Sequence, residues 1–250
     1  HFPLSRRAAF RQVTTLHGRL DLPDLPPLYY RFTDMPVISI SHSQRRPLPQ
    51  AQWVGTVYHG LPPDSFTFQE TQGDYLLFLG RISPEKRVDR AIEIARRSGR
   101  KLKIAAKIDR VDRYYFNKHI KHLLNEPFIE FIGEVDHGGK NKLLGGASAL
   151  LFPIDWPEPF GLVMIEAFAC GTPVIGFSCG SVPEIIVDGE TGFIVDDIDR
   201  AVEAVGKIDQ ISRARCRGEF EQRFTDRHMA KDYIRIYHHL LSGSSTQVAA

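Results

Sequence analysis

The chain has 250 residues, of which 42% are hydrophobic and 25% charged, a composition typical of an ordinary soluble globular protein with one large or two small domains. Its formal net charge of +2 is too close to zero to favour a nucleic acid or another polyanion as partner. The most apolar stretch, residues 143–177, is interrupted by charged residues, glycines and prolines and lacks the roughly 20 uninterrupted apolar residues of a membrane span. Composition thus argues against nucleic-acid binding and against a membrane-spanning protein, and it leaves peripheral membrane contact open.

The first 60 residues show both strand and helix patterns. The predicted elements are a strand at 12–16, a helix at 25–32, and strands at 36–41 and 53–60. Because the chain begins with His1 and the first strand has the character of an internal one, we expect residues upstream of it to be missing.

Residues 61–74, LPPDSFTFQETQGD, combine prolines, polar residues and glycine, and they are the predicted boundary between two domains. After them, strands alternate with helices, the pattern of βαβ units and a parallel sheet. The predicted strands are 75–80, 101–106, 128–133, 148–153, 173–177 and 192–195. The predicted helices are 84–98, 111–125, 137–146, 161–170, 182–189, 197–208, 211–224 and 226–241. The tail, 242–250, is predicted to be disordered.

The most informative segment is WPEPFGLVMIEAFACGTP, residues 156–173, in which Glu158 and Glu166 stand eight positions apart. Glu158 lies between two prolines and so belongs to a rigid loop, whereas Gly161 opens an apolar helix. Glu166 is the carboxylate of that helix and should face a ligand or a partner, because burying a lone charge is costly. Free helix amides between the two carboxylates suit a ligand with both hydroxyls and phosphate. Singly, each glutamate could instead be structural, through the helix dipole or an ion pair.

A second candidate segment follows the first strand after the boundary, where Gly80-Arg81 precede Lys86. The planar guanidinium and the ammonium group together suit a diphosphate. Surface ion pairing is the alternative for both cations, because a strand, a glycine and an arginine form a weak signal by themselves.

His17 and Gly133-Glu134 also follow predicted strands. Ligands of open parallel sheets bind at the carboxyl ends of the strands, so these residues are candidates for the same cleft. A histidine is nevertheless more often structural. The run GEVDHGGK, 133–140, lacks the spacing of a phosphate loop, and Asp197 is interpreted as a helix cap and not as a metal ligand.

The three cysteines are odd in number and lack CxxC spacing, which favours a reducing, cytoplasmic location. No group of histidines and cysteines has metal-site spacing. We therefore expect neither a metal ion nor a cofactor.

Together these segments resemble the retaining glycosyltransferases of family four, which have the GT-B fold, and the resemblance covers about residues 12–241. It rests on the E-x7-E motif within EPFGLVMIEAFACGTPVI and on the segments FLGRISPEK, GSVPEIIVDGETGFIV and TTLHG. It implies an α/β fold of two Rossmann-like domains with parallel sheets, the N-terminal one incomplete. The implied parts are an acceptor-side domain (1–60), a linker (61–74), a nucleotide-sugar-binding domain (75–225) and a helix that crosses back to the first domain (226–241).

The resemblance also implies roles for single residues. The catalytic pair would be His17, facing the transferred sugar and the acceptor, and Glu158, contacting the sugar hydroxyls. Arg81 and Lys86 would hold the diphosphate, and Glu166 the ribose hydroxyls. The amides of 160–162 would contact sugar and phosphate, and the base would lie near 133–135. The complete donor-binding set is Gly80, Arg81, Lys86, Gly133, Glu134, Val135, Phe160, Gly161, Leu162 and Glu166.

The sequence departs from the family pattern in two respects: Arg87 follows Lys86 where glycine is common, and only about sixty residues precede the linker. The predicted protein is a bacterial enzyme of EC 2.4 type that moves a hexose from a nucleotide-diphosphate sugar, UDP favoured, to an unidentified acceptor with retention. We expect this chain alone to bind nucleotide but to turn over slowly or not at all. The alternative is a truncated, non-catalytic nucleotide-sugar-binding module. Nucleotide-sugar 2-epimerases share the fold but lack the E-x7-E context.

Overall fold

The computed structural model describes residues 1–7 and 12–242. The predicted disordered tail, apart from Ser242, lies outside the described residues. Within these two ranges, no helix is both long enough and apolar enough to cross a membrane.

A small three-stranded sheet lies near the beginning of the chain. Its parallel strands follow the order β1-β2-β3. They are β1 (Thr14–Thr15), β2 (Pro36–Ser39) and β3 (Gln52–Thr56), flanked by the helices α1 (Phe2–Arg7) and α2 (Leu25–Arg31). Apolar residues of the sheet and helices, among them Phe2, Tyr29 and Val37, form a core of their own. The sequence did not predict α1, whereas α2 agrees with the predicted helix to within one residue.

The larger sheet has six parallel strands in the order β6-β5-β4-β7-β8-β9. They are β4 (Tyr75–Arg81), β5 (Lys101–Lys107), β6 (Ile129–Gly133), β7 (Ala149–Phe152), β8 (Val174–Phe177) and β9 (Gly192–Val195). From β4 the chain proceeds outward to β5 and β6, then returns to place β7 on the other side of β4. The strand order therefore reverses between β4 and β7, and a crevice at their carboxyl ends is the expected ligand site.

Helices cover both faces of this sheet. They are α3 (Val88–Ser98), α4 (Arg113–Tyr115), α5 (His137–Gly146), α6 (Leu162–Ala169), α7 (Val182–Ile185), α8 (Ile198–Lys207) and α9 (Arg213–Arg223), and they are followed in the chain by α10 (Asp226–Ser242). The core between helices and sheet is apolar and closely packed, and Leu76, Ile92 and Phe168 are among its fully buried members. The alternating strands and helices after residue 74 were predicted from hydrophobic spacing and are confirmed.

Three predicted helices differ from the observed backbone. The helix predicted at 182–189 ends at Ile185, because the backbone of Ile186 is extended. The helix predicted at 84–98 is a 3₁₀ turn, Pro84–Lys86, followed by α3, because Arg87 adopts a left-handed conformation with φ of 53°. The helix predicted at 111–125 is irregular: 3₁₀ turns flank the short helix α4 and a wide π turn at Phe116–Ile120. Hydrophobic spacing indicates which face is buried, but turns of different width can satisfy nearly the same spacing.

The last helix, α10, packs against the small sheet. Ile236 is buried with Ile38 and Val57, and Met229, Tyr233 and Leu240 lie beside them. A β-carbon at Gly55 would lie 2.3 Å from the Ile236 side chain, so glycine allows α10 to approach β3 closely. Tyr237, by contrast, is exposed.

Glu184 of α7 joins the two sheets. Its carboxylate accepts hydrogen bonds from the backbone amides of His42 (2.8 Å) and Ser43 (2.6 Å) and from the Tyr58 hydroxyl (3.0 Å). These three groups belong to segments that follow β2 and β3. Burial, together with this carboxylate, raises the pKa of Tyr58, so the hydroxyl remains a hydrogen-bond donor.

Candidate active site

The loop between β7 and α6 carries Glu158 at the strand reversal. Flanking prolines restrict its backbone, and the Glu158 amide donates to the Trp156 carbonyl over 2.7 Å. The segment after β8 supports this loop from behind, because the Ser181 amide donates to the Glu158 carbonyl over 3.0 Å. Gly180 has φ of 59°, and a β-carbon there would lie 2.4 Å from the Glu158 nitrogen. The position of Glu158 therefore depends on a glycine twenty-two residues later in the chain.

Lys86 and Glu158 form an ion pair in the unliganded chain. Their side chains are 18% and 13% exposed, and the Lys86 ammonium lies 5.2 Å from the centre of the Trp156 ring. Little water reaches the pair, so the attraction is screened less than at an open surface. Two residues that the sequence assigned to different parts of one ligand are thus in direct contact.

The start of α6 presents backbone amides beside this pair. Gly161 precedes the helix with φ of 80°, a conformation that glycine adopts without strain. In the part of the chain that the structure describes, no side chain caps this end of α6. Leu162, the first helical residue, is 44% exposed. Free amides at a solvent-accessible helix start are suited to an anion.

Glu166, one turn further along α6, is only 9% exposed and pairs with Lys140 of α5. The two side chains border a recess of ≈ 310 Å³ at the carboxyl ends of β4 and β5. The recess brings together five predicted residues: Gly80, Glu134, Val135, Leu162 and Glu166. Its further polar lining is Lys107 and Lys140, which the sequence analysis missed.

Lys140 belongs to the run rejected as a phosphate loop. The Asp136 side chain caps α5 by accepting from the Gly139 amide over 2.7 Å, and Lys140, the next residue, lines the recess. The rejected spacing was therefore no guide to this lysine. The signal that could have identified Lys140 was its position in the first turns of the predicted helix 137–146, which follows the end of the predicted strand 128–133.

Arg81 and Gly133 lie apart from the lining of the recess. The Arg81 side chain is 45% exposed and pairs with Glu85 (3.3 Å) and Asp109 (3.4 Å), the surface ion pairing that the sequence left open as an alternative. Gly133 ends β6 with φ of 84° and open space where a β-carbon would lie. In this conformation neither residue contacts Glu158.

His17 is joined to the loop before α6 through His59, a histidine that the sequence did not single out. The ring centres of His17 and His59 are 5.2 Å apart in a stacked arrangement, and His59 meets the Phe160 ring edge-on at 4.9 Å. Nearby, the Arg19 guanidinium lies 5.6 Å from the Trp156 ring centre. His59 precedes Gly60 at the end of a predicted strand, as His17 precedes Gly18, and this shared pattern was the available signal.

The cysteines and acidic residues show no metal centre. Across residues 1–7 and 12–242, no cluster of three or more His, Cys, Asp or Glu side chains could hold a metal ion. All three cysteines are free, and burial raises the pKa of Cys170 and Cys216 to about 12. These two thiols are therefore neutral and unreactive at ordinary pH. The Asp197 side chain accepts from the Arg200 amide, which confirms the predicted helix cap.

Comparison with known proteins gives matches to sugar-transferring enzymes. Residues 65–228 match the family described as "Glycosyl transferases group 1". The chain is 32% identical over 131 residues to the N-acetyl-alpha-D-glucosaminyl L-malate synthase of Bacillus anthracis, covering 49% of this chain and 33% of that protein. It is 30% identical over 175 residues to D-inositol 3-phosphate glycosyltransferase 2 of Catenulispora acidiphila, covering 64% and 39%. The chain thus spans less than half the length of these relatives.

Solved structures show the same architecture. AviGT4, a glycosyltransferase involved in avilamycin A biosynthesis, superimposes with a TM-score of 0.71 at 26% identity, covering 83% of this chain and 64% of that one. Anabaena HepE in complex with UDP and glucose gives a TM-score of 0.75 at 17% identity, covering 92% and 71%. The two parallel sheets and these neighbours confirm the predicted α/β, GT-B fold.

Proposed function

This chain belongs to the group 1 glycosyl transferases, and from that premise we propose that it moves a hexose from a nucleotide-diphosphate sugar to an acceptor with retention. The observation that carries the proposal is one grouping of side chains. Lys86, Glu158 and the uncapped start of α6 lie together, and Glu166 borders the adjoining recess. The sugar would lie at Glu158, the diphosphate at Lys86 and the start of α6, and the nucleoside in the recess beside Glu166. The group 1 enzymes are transferases, and we place this chain with the retaining members of family four.

Lys86 and the first amides of α6 bind the diphosphate in this proposal. Negative charge grows on the diphosphate as the sugar leaves, and a cation together with fixed N–H dipoles stabilises that charge. Lys86 must exchange its contact with Glu158 for phosphate oxygens. Arg81 would join it only after leaving Glu85 and Asp109, so we assign Lys86 the larger contribution.

Glu158, released from Lys86, accepts hydrogen bonds from the hexose hydroxyls, and His17 faces the transferred sugar and the acceptor. The acceptor oxygen attacks the sugar carbon on the face that the diphosphate leaves. The new carbon–oxygen bond forms as the old one breaks, and a phosphate oxygen takes the acceptor's proton. No side chain is needed as general base.

Glu166 binds the ribose hydroxyls, and the base lies near Glu134 and Val135 in the recess. Lys140 and Lys107 add positive charge to the same recess. We favour UDP-sugars because Anabaena HepE was crystallised with UDP. The free cysteines agree with a cytoplasmic location.

The test is a thermal-shift panel with UDP, GDP, ADP and their sugars, with and without EDTA. A ligand at about 100 times its dissociation constant stabilises the folded chain by ~2.7 kcal/mol, which is readily detected. We expect a UDP-selective shift that EDTA leaves unchanged. If none of the nucleotides raised the melting temperature, the proposal would be contradicted.

The second candidate is a nucleotide-sugar-binding module without transfer. It is the alternative that the sequence left open. To distinguish the transferase from the binding module, the release of free hexose from the bound donor is monitored by NMR of the anomeric proton. Binding without release supports the module, whereas release of the same anomer as in the donor supports a retaining transferase.

A further inference from the structure

Arg87 has a backbone conformation that side chains rarely adopt. Among residues 1–7 and 12–242, it is the single non-glycine residue with a positive φ, at 53°. Its carbonyl nevertheless accepts from the Arg90 amide over 3.0 Å, so Arg87 forms the start of α3. A left-handed arginine is strained, and such strain persists only where other contacts compensate for it.

The guanidinium of Arg87 makes those contacts. It pairs with Asp89 over 2.8 Å on its own helix and with Asp155 over 2.6 Å in the loop that carries Glu158. These contacts, with Asp89 as the largest contribution, raise the pKa of Arg87. Arg90 reaches the same Asp155 oxygen over 3.2 Å. The Asp155 amide donates to the Glu85 carbonyl over 3.0 Å, so backbone and side chains join the same two segments.

The contacts between Arg87 and Asp155 lie next to the Lys86–Glu158 ion pair in the sequence. Lys86 directly precedes Arg87, and Glu158 lies three residues after Asp155. A glycine at position 87 would adopt the same backbone without strain, but it would leave Asp155 with Arg90 alone. The turn itself does not require an arginine, so the contribution of the Arg87 side chain is its ion pair with Asp155.

We propose that Arg87 is a positioning residue that fixes the Glu158 loop against the Lys86 turn through Asp155. It touches no ligand; it sets the distance between two groups that do. The part concerning ligands rests on the proposed function, whereas the part concerning the loop does not.

The first test uses Trp156 as a reporter of the loop, without any ligand. Trp156 lies between Asp155 and Glu158, while Trp53, the chain's other tryptophan, is 9% exposed in the small sheet. We expect Arg87→Gly and Asp155→Asn each to increase acrylamide quenching of tryptophan fluorescence about twofold, and the double variant to add nothing. Unchanged quenching, or additive effects, would overturn the proposal.

The second test measures UDP affinity and the Michaelis constant for the nucleotide sugar. Arg87→Gly should weaken UDP binding about tenfold with an unchanged or higher melting temperature, because backbone strain is removed. Arg87→Lys keeps the charge but lacks the planar fork, and it should recover less than half of the loss. The matched control is Asp199→Asn, which removes the partner of Arg97 at the other end of α3. Equal affinity in Arg87→Gly and wild type would reject the positioning role.

The outcomes also separate this inference from the proposed function. If the wild-type chain binds no nucleotide, the proposed function fails, and the quenching data still decide whether Arg87 fixes the loop. If the wild type binds UDP and Arg87→Gly behaves identically in both tests, the inference alone fails.

Discussion

The Lys140 ammonium lies 2.7 Å from a carboxylate oxygen of Glu166, and the pair closes one side of the recess between α5 and α6. In the unliganded chain, the carboxylate proposed to bind ribose is thus already paired. When a ribose binds, its two hydroxyl groups must donate to the Glu166 carboxylate, and they either displace the Lys140 ammonium or bind beside it. This arrangement makes the role of Glu166 measurable with ligands that lack one hydroxyl.

Replacement of Glu166 by alanine should weaken UDP binding about tenfold, equivalent to ~1.4 kcal/mol. The wild type should also prefer UDP to 2′-deoxy-UDP, and Glu166→Ala should lose that preference because the hydroxyl has no partner. Isothermal titration of both ligands checks this. Glu203→Ala, at an exposed glutamate of α8, is the control. A deoxy-ligand preference that survives in Glu166→Ala would contradict the assignment.

Glu158→Ala should lower hexose transfer by about 100-fold, because hydrogen bonds to the reacting sugar strengthen in the transition state. UDP affinity should stay the same or rise, since Lys86 is then free for the diphosphate. The measurement is kcat with a UDP-sugar alongside a titration with UDP. Transfer at the wild-type rate would remove Glu158 from the catalytic pair.

Gly180→Ala should displace the Glu158 loop without altering any side chain of the site. Gly189→Ala is a matched control, because Gly189 has φ of 76° but open space around a β-carbon, whereas Gly180 faces the Glu158 backbone. Both variants carry the strain of alanine at positive φ, and Gly180→Ala should lose at least about 1 kcal/mol more stability. Urea unfolding measures the difference. Equal losses of stability in the two variants would mean that the segment with Gly180 does not pack closely against the Glu158 loop.

His59 gives a prediction for the pH dependence of stability. Burial, and then the charge of His17, lowers the pKa of His59 below its usual 6.5. The unfolded chain therefore binds the proton more readily, so the stability contribution is complete above pH 6.5 and is lost as pH falls through the folded pKa. We measure the free energy of unfolding of the wild type and of His59→Gln by urea unfolding at several pH values. The wild-type value minus the variant value should fall as pH falls, by at most about 1.4 kcal/mol per pH unit. A difference that does not vary with pH would contradict burial of a neutral His59.

The sequence predicted those parts of the molecule that depend on local pattern. The strand β4 was predicted as 75–80 and observed as Tyr75–Arg81, because an apolar run followed by glycine is a local signal. The helix cap at Asp197 was equally local. The predicted division into domains and the roles of single residues stay predictions.

What the sequence did not predict depends on contacts between distant segments. The pairing of Lys86 with Glu158 joins residues 72 positions apart, and that of Lys140 with Glu166 joins residues 26 apart. The left-handed backbone of Arg87 was missed because arginine is normally a helix former, and the contacts of its guanidinium with Asp89 and Asp155 that accompany this conformation include one to a residue 68 positions away.

The three hydrogen bonds that end on the Glu184 carboxylate have a consequence for the rate of ligand exchange. All three donors lie on the side of the small sheet, and all reach one side chain. Hydrogen bonds weaken steeply with distance, so a separation of the sheets by a few ångströms breaks the three together. The Glu184 carboxylate would therefore contribute to the barrier for opening, together with the ring contact between His59 and Phe160, although it touches no ligand itself.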